Sequence, residues 1–403
     1  MTSVLGKAQQ AQILTPEVLR LMKALGQKGE ARVVGGAVRD VLLSRPVGDI
    51  DLAMTLPPEE AMDILAKEKI RTVPTGLAHG TITAVLDHKG YEITTLRHDV
   101  TTDGRHAQVA FTDDWRADSM RRDFTINALY LDASGTLYDY FGGAEDAKDG
   151  RVRFIGDARA RIAEDILRIL RFYRFYAYFG KGAADFEALE ACRALASLIP
   201  RLSMERVSRE CLKLLAADNP LPAWRLMKEG GILNFFAADA IHLASLQSLL
   251  ENEAQYDVKT SAHTRLASLL PQDVKSSAAL AMRFKFSNRD GDQLCVLAKL
   301  PALLHGKIEA PSLRHLIYLY GPQSCKAAVL LQKEGIAEAL ATIAAWEAPV
   351  FPIKGEDVLK SGVAQGPDIG KILSEVEAWW IAGDFRADRT ACLAQLKRLE
   401  KDR

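Results

Sequence analysis

The sequence predicts an α+β protein whose N-terminal head carries a small mixed or antiparallel sheet and whose remainder is all-α. Nearly all strand-like segments fall within the first 150 residues, whereas helical periodicity dominates from Asp157 onward. The length of 403 residues also exceeds that of a typical single domain several-fold, so we expect several packed units.

Short strands are predicted in the head over residues 31–36, 49–54, 81–87, 91–97 and 125–131. The third and fourth strands are joined by Asp87-His88-Lys89-Gly90, which favours a hairpin turn. Helices are predicted over 37–44 and 57–69, and the second begins with two prolines followed by two acidic residues.

Beyond the head, the helical pattern predicts helices over 161–179, 185–198 and 203–217, and amphipathic segments continue to residue 340. The prolines between residues 345 and 355 indicate a linker before a last helical unit. The predicted domains are a head at 1–150, a helical neck at 151–220, a helical body at 221–345 and a helical tail at 346–403.

The overall composition excludes several classes of protein. Lys and Arg total 52, as do Asp and Glu, so the chain is not a globally basic coat for nucleic acid, and any such surface must be local. No apolar run approaches the length of a membrane span, and the N-terminus lacks the features of a signal peptide. The five scattered cysteines show no zinc-ligand spacing. A cytoplasmic protein with no membrane association is expected, and no protein partner is implied.

Two short motifs could carry phosphate chemistry. Gly35 and Gly36 stand at a predicted strand-to-helix junction, where backbone N–H groups can approach a phosphate, and Arg39 follows one turn later. Asp49 and Asp51 are two residues apart on a predicted strand, so both carboxylates should project from one face. Their repulsion favours a cation between them, and Mg²⁺ prefers such oxygen ligands. Taken separately, a Gly-Gly turn or an Asp-x-Asp strand edge is more often only structural.

Taken together, the two motifs resemble the polymerase-β-like nucleotidyltransferases. Two later segments, Arg121 to Ala128 and Arg161 to Phe172, look like further motifs of the class II family of CCA-adding tRNA nucleotidyltransferases and bacterial poly(A) polymerases. The similarity runs almost continuously over residues 31–180.

This resemblance implies a head that holds two Mg²⁺ ions and a nucleoside triphosphate, a neck that recognises the incoming base, and helical domains that bind tRNA. It places Gly36 and Arg39 on the triphosphate, and Arg122 and Asp123 on the nucleotide sugar or phosphate. Asp49 and Asp51 would be the catalytic metal ligands. The nucleotide pocket in the neck would comprise Asp165, Arg168, Arg171 and Arg174.

The spacing in the neck agrees with this assignment only in part. On one continuous helix, Asp165 and Arg168 would lie on neighbouring faces. Their carboxylate and guanidinium could accept the base edges of C and A and reject those of U and G. The alternative is an ordinary intrahelical salt bridge from Glu164 to Arg168. Arg174 would lie half a turn from Asp165, so it must reach around the helix or serve the structure.

Two further features are open to more than one interpretation. Glu92 on the strand 91–97 could be a third metal-facing carboxylate, or simply a solvated strand residue. The polar segment 98–109 resembles the flexible loop of the family, whose charged pair would be Asp103 and Arg105. A solvent loop with no role is the alternative.

The predicted function is template-independent addition of CCA to tRNA 3′ ends from CTP and ATP. The segment Thr75 to Thr81 resembles the CCA-adding branch of the family. The alternatives are a poly(A) polymerase, an enzyme that adds only CC or only A, and a non-catalytic RNA-binding protein built on a polymerase-like head.

Overall fold

The computed structural model describes residues 2–102, 107–237, 241–304 and 310–401. The chain forms two compact units, Met1–Ala237 and Ala238–Arg403. Within the described ranges, no helix is both long enough and apolar enough to cross a membrane.

The first unit is built on a mixed sheet of eight strands in the order β1-β10-β9-β2-β3-β6-β5-β4 among its described residues. Only β3 and β6 pair in parallel among the described strand pairs of this sheet. Two further strands, β7 and β8, form a separate hairpin. The strands are β1 Thr2–Val4, β2 Ala31–Val34, β3 Asp51–Met54, β4 Arg71–Gly76, β5 Thr81–Leu86, β6 Lys89–Thr95, β7 Arg97–Thr102, β8 Ala107–Phe111, β9 Leu129–Leu131 and β10 Thr136–Asp139.

The strands predicted from residues 31, 81 and 91 are confirmed to within two residues at each end. Asp87 and His88 adopt positive φ of 48° and 62°. Because Leu86 pairs with Lys89, the turn consists of these two residues rather than the four predicted. The strand predicted over 125–131 is wrong in its first half, because Thr125–Asn127 forms a 3₁₀ turn before β9. The segment 98–109, predicted as a loop, consists largely of β7 and β8.

The sheet buries one face against helices. In β5 and β6, alternate residues such as Ile82 and Ile93 are buried in the main core, together with Leu52 of β3. The helices of this unit are α1 Lys7–Ile13, α2 Pro16–Leu25, α3 Gly36–Leu42, α4 Pro58–Lys67, α5 Trp115–Met120, α6 Gly143–Asp149, α7 Ala158–Glu164, α8 Arg168–Phe179, α9 Phe186–Leu195, α10 Met204–Leu215 and α11 Leu221–Glu229. Residues that alternate with the core, Asp51 among them, therefore face the other side of the sheet.

The continuous helix predicted over 161–179 is wrong. It is two helices, α7 and α8, separated at Asp165, whose backbone is extended with φ −147° and ψ 106°. Helix α8 is fixed to the head by aromatic contacts, since the ring of Phe124 lies 5.1 Å from that of Phe175 and 6.4 Å from that of Phe172.

Helices are the only regular secondary structure among the described residues of the second unit. Its helices are α12 Leu243–Gln255, α13 Ala262–Ser268, α14 Val274–Arg283, α15 Asn288–Leu304, α16 Ala310–Tyr320, α17 Pro322–Leu330, α18 Ile336–Ala345, α19 Gly355–Lys360, α20 Asp368–Ala382 and α21 Arg389–Lys401. Residues 346–354 between α18 and α19 are neither helix nor strand, as the prolines predicted. The subdivision into head, neck, body and tail stays a prediction.

Candidate active site

A turn of two glycines leads from β2 into α3. Gly35 has φ 74° and ψ −122°, a conformation that a side chain would strain. A Cβ at Gly35 would also lie 3.5 Å from the carbonyl oxygen of Asn127 and 3.8 Å from the guanidinium of Arg122. The turn therefore brings bare backbone up to the side chains that line the site.

The carboxylates of the predicted metal site lie where β3 begins. The predicted strand 49–54 starts only at Asp51, so Asp49 precedes the strand rather than sharing its pleat. The two groups nevertheless interact. Burial, and then the charges of Glu92 and Asp49, raise the pKa of Asp51, while Arg122 acts in the opposite direction. Glu92 takes part because β3 and β6 pair in parallel, with Leu52 opposite Ile93.

This donor set fits a divalent cation. The charges of Glu92 and Asp49 act on the carboxylate of Asp51, and a cation beside it would relieve this repulsion. In the described part of the chain, no three His, Cys, Asp or Glu side chains form a complete metal site. A pair of carboxylates is nevertheless enough for Mg²⁺, which retains waters and phosphate oxygens as its other ligands. The role of Glu92 as a third ligand stays a prediction.

A cavity of about 570 Å³ brings most of the predicted residues together. Seven arginines and three aspartates are among its lining residues, so its charge suits a triphosphate. The predicted residues that line it are Gly36, Arg39, Asp51, Arg122, Asp123, Asp165, Arg168, Arg171 and Arg174. Asp49 and Glu92 are not among them, and Asp103 and Arg105 lie outside the described residues.

A chain of polar contacts connects the head to the neck across this cavity. Arg39 donates to the side-chain oxygen of Asn127 at 2.5 Å, and Asn127 donates to Asp123 at 3.0 Å. The other carboxylate oxygen of Asp123 accepts from Arg171 at 2.7 Å. Burial alone would raise the pKa of Asp123, but Arg171 and Asn127 outweigh it and the pKa is lowered. Asp123 is thus ionised and connects Asn127 of the head to Arg171 of α8, and its contact with the nucleotide stays a prediction.

Arg39 itself is held from several sides. Its side chain is 9% exposed, and it pairs with Asp40 at 2.9 Å. Its guanidinium also lies 4.0 Å from the ring centroid of Phe179 in α8. Burial is the main reason that the pKa of Arg39 is lowered, although the group stays cationic because its ordinary value is far above neutrality.

Asp118 holds the two adjacent arginines of the predicted Arg121-Arg122-Asp123 motif. Its carboxylate accepts from Arg121 at 2.8 Å, from Arg122 at 3.0 Å and from the hydroxyl of Tyr130 at 2.7 Å. Burial would raise the pKa of Asp118, but the two arginines and the Tyr130 hydrogen bond lower it to about 2. Asp118 therefore holds one edge of the Arg122 guanidinium, which lies beside Gly35.

The break at Asp165 changes the pairing predicted for the neck. Asp165 accepts from Arg206 of α10 at 3.0 Å and also accepts from the backbone N–H of Leu167 at 3.1 Å. Arg168 pairs with Glu164 at 2.6 Å, so the alternative pairing forms, but it spans the break between α7 and α8 and is not intrahelical. Because the helix is interrupted, Asp165 and Arg174 line the same cavity, and the expected half-turn separation between them does not apply. Arg174 is also paired, with Glu210 at 2.6 Å.

Several residues of the site were not predicted from the sequence. Asn127 and Arg206 line the cavity, and Asp118 supports it from behind. Asn127 stands inside a motif that was recognised, where a polar residue between Ile126 and Ala128 was the available signal. Arg206 and Asp118 gave no comparable signal, because each depends on a contact that no short pattern encodes.

Comparison with known proteins gives matches to two family models and to complete relatives. Residues 31–153 match "Poly A polymerase head domain", and residues 185–240 match "Probable RNA and SrmB- binding site of polymerase A". The mitochondrial CCA tRNA nucleotidyltransferase 1 of Mus musculus is 34% identical over 384 residues, which cover 92% of this chain and 87% of that protein. The CCA-adding enzyme of Streptococcus mutans is 34% identical over 396 residues, covering 93% and 94%.

Solved structures share the fold over nearly the whole chain. The CCA-adding enzyme of Bacillus stearothermophilus in complex with CTP superimposes with a TM-score of 0.76 at 24% identity, covering 98% of this chain and 99% of that one. The Thermotoga maritima CCA-adding enzyme complexed with tRNA gives 0.67 at 22% identity, with 99% of each chain covered.

Proposed function

The chain belongs to the family of CCA-adding tRNA nucleotidyltransferases, and from this membership we propose that it adds CCA to tRNA 3′ ends, using CTP and ATP as substrates. The observation that carries the proposal is the single cavity in which the glycine turn, Asp51 and the charged residues of the neck meet. A nucleoside triphosphate needs those three elements at once: bare backbone and arginines for phosphates, carboxylates for metal, and a polar surface for the base.

We assign the triphosphate to the head side of the cavity. The Gly35–Gly36 turn presents its backbone there, and Arg39 and Arg122 add positive charge. Both guanidiniums are held in place before substrate arrives, Arg39 by Asn127 and Arg122 by Asp118. Such preorganisation lowers the cost of aligning the α-phosphate with the attacking RNA 3′-hydroxyl.

Asp49 and Asp51 would hold two Mg²⁺ ions, with Glu92 as a candidate third carboxylate. When bound, Mg²⁺ lowers the pKa of the RNA 3′-hydroxyl and stabilises charge on the leaving pyrophosphate. Asp51 is suited to this role because burial, and then the charges of Glu92 and Asp49, raise its pKa, so that a bound cation would stabilise its ionised form. Its ionised form is the one that binds metal.

Base selection is assigned to Asp165 and Arg168, each of which keeps hydrogen-bonding capacity. Arg168 uses three of its five N–H donors on Glu164 and on the carbonyls of Arg161 and Arg121. Its remaining donors can reach a ring nitrogen of C or A. Asp165 can accept from the exocyclic amine while Arg206 holds its carboxylate in position. Arg171 and Arg174 complete the pocket.

The decisive experiment is incubation of tRNA that lacks CCA with each labelled nucleotide separately and then with CTP and ATP together. The proposal expects two C residues and then one A. Long runs of A would instead identify a poly(A) polymerase, and arrest after CC or a requirement for a CC end would identify a partial enzyme. Binding of tRNA without any incorporation would identify a non-catalytic protein.

The hairpin of β7 and β8 leads to the charged pair Asp103 and Arg105, for which we propose a role in the last addition. A pocket that accepts C twice and then A must change shape, and the resemblance of this segment to the flexible loop of the family makes it the candidate for coupling those states. Asp103→Ala and Arg105→Ala should leave C addition intact and slow A addition in a gel time course. Equal slowing of both steps would contradict a switching role.

A further inference from the structure

A second cavity, of about 530 Å³, lies beside the first in the same unit. The two cavities share Arg39, Arg174 and Phe175 in their walls. The second cavity is further lined by Arg45, Pro46, Tyr178, Phe179 and Lys213, together with Asp40 and Asp218. We call it the adjoining cavity. Its volume falls within the range of small-ligand sites, and the nucleotide proposed for the first cavity does not occupy it.

Four cationic side chains and two carboxylates line the adjoining cavity, so positive charge predominates in its wall. Arg39 is paired with Asp40, and Arg174 is paired with Glu210. For Arg45 and Lys213, by contrast, no ion pair is formed with any residue that the structure describes. The Arg45 guanidinium lies 4.8 Å from the ring centroid of Phe179, and the Lys213 side chain is exposed. Two unpaired cations at the rim of a cavity favour an anionic ligand.

Aromatic rings form the other part of the wall. Phe175 and Phe179 are stacked with centroids 5.8 Å apart, and Tyr178 lies 6.1 Å from Phe179. The hydroxyl of Tyr178 donates to the backbone carbonyl of Lys213 at 3.0 Å, so this ring lies against the backbone of α10 at Lys213. A wall that combines aromatic rings with cations suits a ligand that has both a flat face and a phosphate.

We propose that the adjoining cavity binds a nucleotide of the single-stranded RNA end that precedes the growing 3′ terminus. Arg45 and Lys213 would contact its phosphate, and its base would stack on Tyr178. The shared wall places this nucleotide next to the incoming triphosphate, as a primer strand requires. A released pyrophosphate would also suit the cations, but it has no use for the aromatic wall. The inference rests on the proposed function, because it takes RNA to be the acceptor.

The test measures RNA binding without turnover, using a fluorescent hairpin RNA with an unpaired 3′ tail and the same hairpin without the tail. The double variant Arg45→Ala/Lys213→Ala should weaken binding of the tailed hairpin roughly tenfold at moderate salt and flatten its salt dependence. Binding of the blunt hairpin and the KM for CTP should not change. The matched control, Lys23→Ala/Lys67→Ala, removes two exposed cations from α2 and α4, and neither residue lines either cavity.

A second pair of variants isolates the stacking. Tyr178→Leu removes the ring and should weaken binding of the tailed hairpin severalfold, whereas Tyr178→Phe keeps the ring and should bind normally. Equal losses for tailed and blunt hairpins would overturn the inference. So would unchanged RNA binding combined with weaker inhibition by pyrophosphate, which would identify a leaving-group site. Failure of the wild-type protein to extend tRNA would count against the proposed function alone, since the binding comparison does not need catalysis.

Discussion

The carboxylate of Asp165 lies 3.0 Å from the guanidinium of Arg206, a residue 41 positions further along the chain. This contact joins the break between α7 and α8 to helix α10. Together with the N–H of Leu167, it fixes the orientation of the Asp165 side chain at a helix end. Arg206 is therefore a positioning residue for the group to which we assign base selection.

Removing Arg206 should impair nucleotide selection more than chemistry. Arg206→Ala leaves the Asp165 carboxylate held by the N–H of Leu167 without its guanidinium partner, so the hydrogen bond to the exocyclic amine of C or A becomes less well oriented. We expect incorporation of UTP and GTP relative to CTP and ATP to rise roughly tenfold. The measurement is single-nucleotide incorporation on tRNA lacking CCA, with KM and kcat determined separately for each nucleotide.

The control is Arg209→Ala, which removes an exposed arginine from the same helix and leaves Asp165 untouched. Arg206→Lys should restore part of the selectivity, because an ammonium can still approach the carboxylate. If Arg206→Ala lowered kcat equally for all four nucleotides and left their ratios unchanged, the contact would serve only to stabilise the neck.

The pairing of Asp165 with Arg206 could not be predicted from the sequence, although Asp165 itself and the neighbouring arginines of α8 were predicted. The apolar period runs through 161–179 without interruption, so it favours one helix. Asp165 interrupts the helix because its carboxylate accepts from the N–H of Leu167, which offers the backbone an alternative to helical bonding. Asp is common at such positions, so the local signal existed. The partner, Arg206, is fixed only by the tertiary packing of α10.

Neutralising Glu92 should shift the pH dependence of activity. Burial and then the charge of Glu92 raise the pKa of Asp51, and the ionised form of Asp51 is the one that binds metal. Glu92→Gln removes that charge, so the pKa of Asp51 falls and the acidic limb of the kcat/KM profile should move to lower pH.

Asp51→Asn should reduce incorporation at least about a hundredfold at every pH while tRNA binding persists.

The stability of the metal-free protein provides an independent readout at the same site. A carboxyl group whose pKa is raised in the folded state lowers stability at all pH values above that pKa. Asp51→Asn should therefore raise Tm at neutral pH in the absence of metal. Adding Mg²⁺ should raise the Tm of the wild type and leave that of Asp51→Asn unchanged. Equal responses of both proteins to Mg²⁺ would remove Asp51 from the metal site.

Two of the strands that were not predicted from the sequence lie at the edges of the eight-stranded sheet. β4, with sequence RTVPTG, is an edge strand that contains a proline, and β1 at the other edge spans only Thr2–Val4. Proline is confined to edge strands because it cannot donate to a neighbour, so it argues against a strand when the sequence is read alone. The central strands were predictable because burial on one face imposes an alternating pattern, as in β5.

The two glycines of the turn before α3 should respond differently to substitution. Gly35→Ala places a Cβ on a backbone with φ 74° and should lower the free energy of unfolding by about 1–2 kcal/mol. Gly36 has no such constraint, and its Cβ would lie 3.5 Å from the flexible end of Arg39. Gly36→Ala should change stability by less than about 0.5 kcal/mol and raise the KM for CTP and ATP. Urea unfolding and nucleotide titrations separate the two effects, and equal stability losses would contradict the backbone argument.

The stability of the first unit should depend on the ionised state of Asp118. Its side chain is 1% exposed and pairs with both Arg121 and Arg122. In Asp118→Asn both guanidiniums lose their carboxylate, so we expect a loss of about 3–5 kcal/mol at neutral pH. The pKa of about 2 in the folded protein lies below the ordinary value of 3.8, so the stabilisation is complete above pH 3.8 and is lost as the pH falls through 2.

The acid dependence distinguishes this ion pair from other contributions. Protonation of other carboxylates whose pKa is lowered, such as Asp123, also destabilises the folded protein in acid. Their contribution cancels when the free energy of unfolding of Asp118→Asn is subtracted from that of the wild type. This difference in the free energy of unfolding, followed by urea titration from pH 5 downward, should shrink by about 2 kcal/mol as Asp118 is protonated. A difference that stayed constant with pH would mean that Asp118 stabilises the head through packing and neutral hydrogen bonds, and that Arg121 and Arg122 do not depend on its charge.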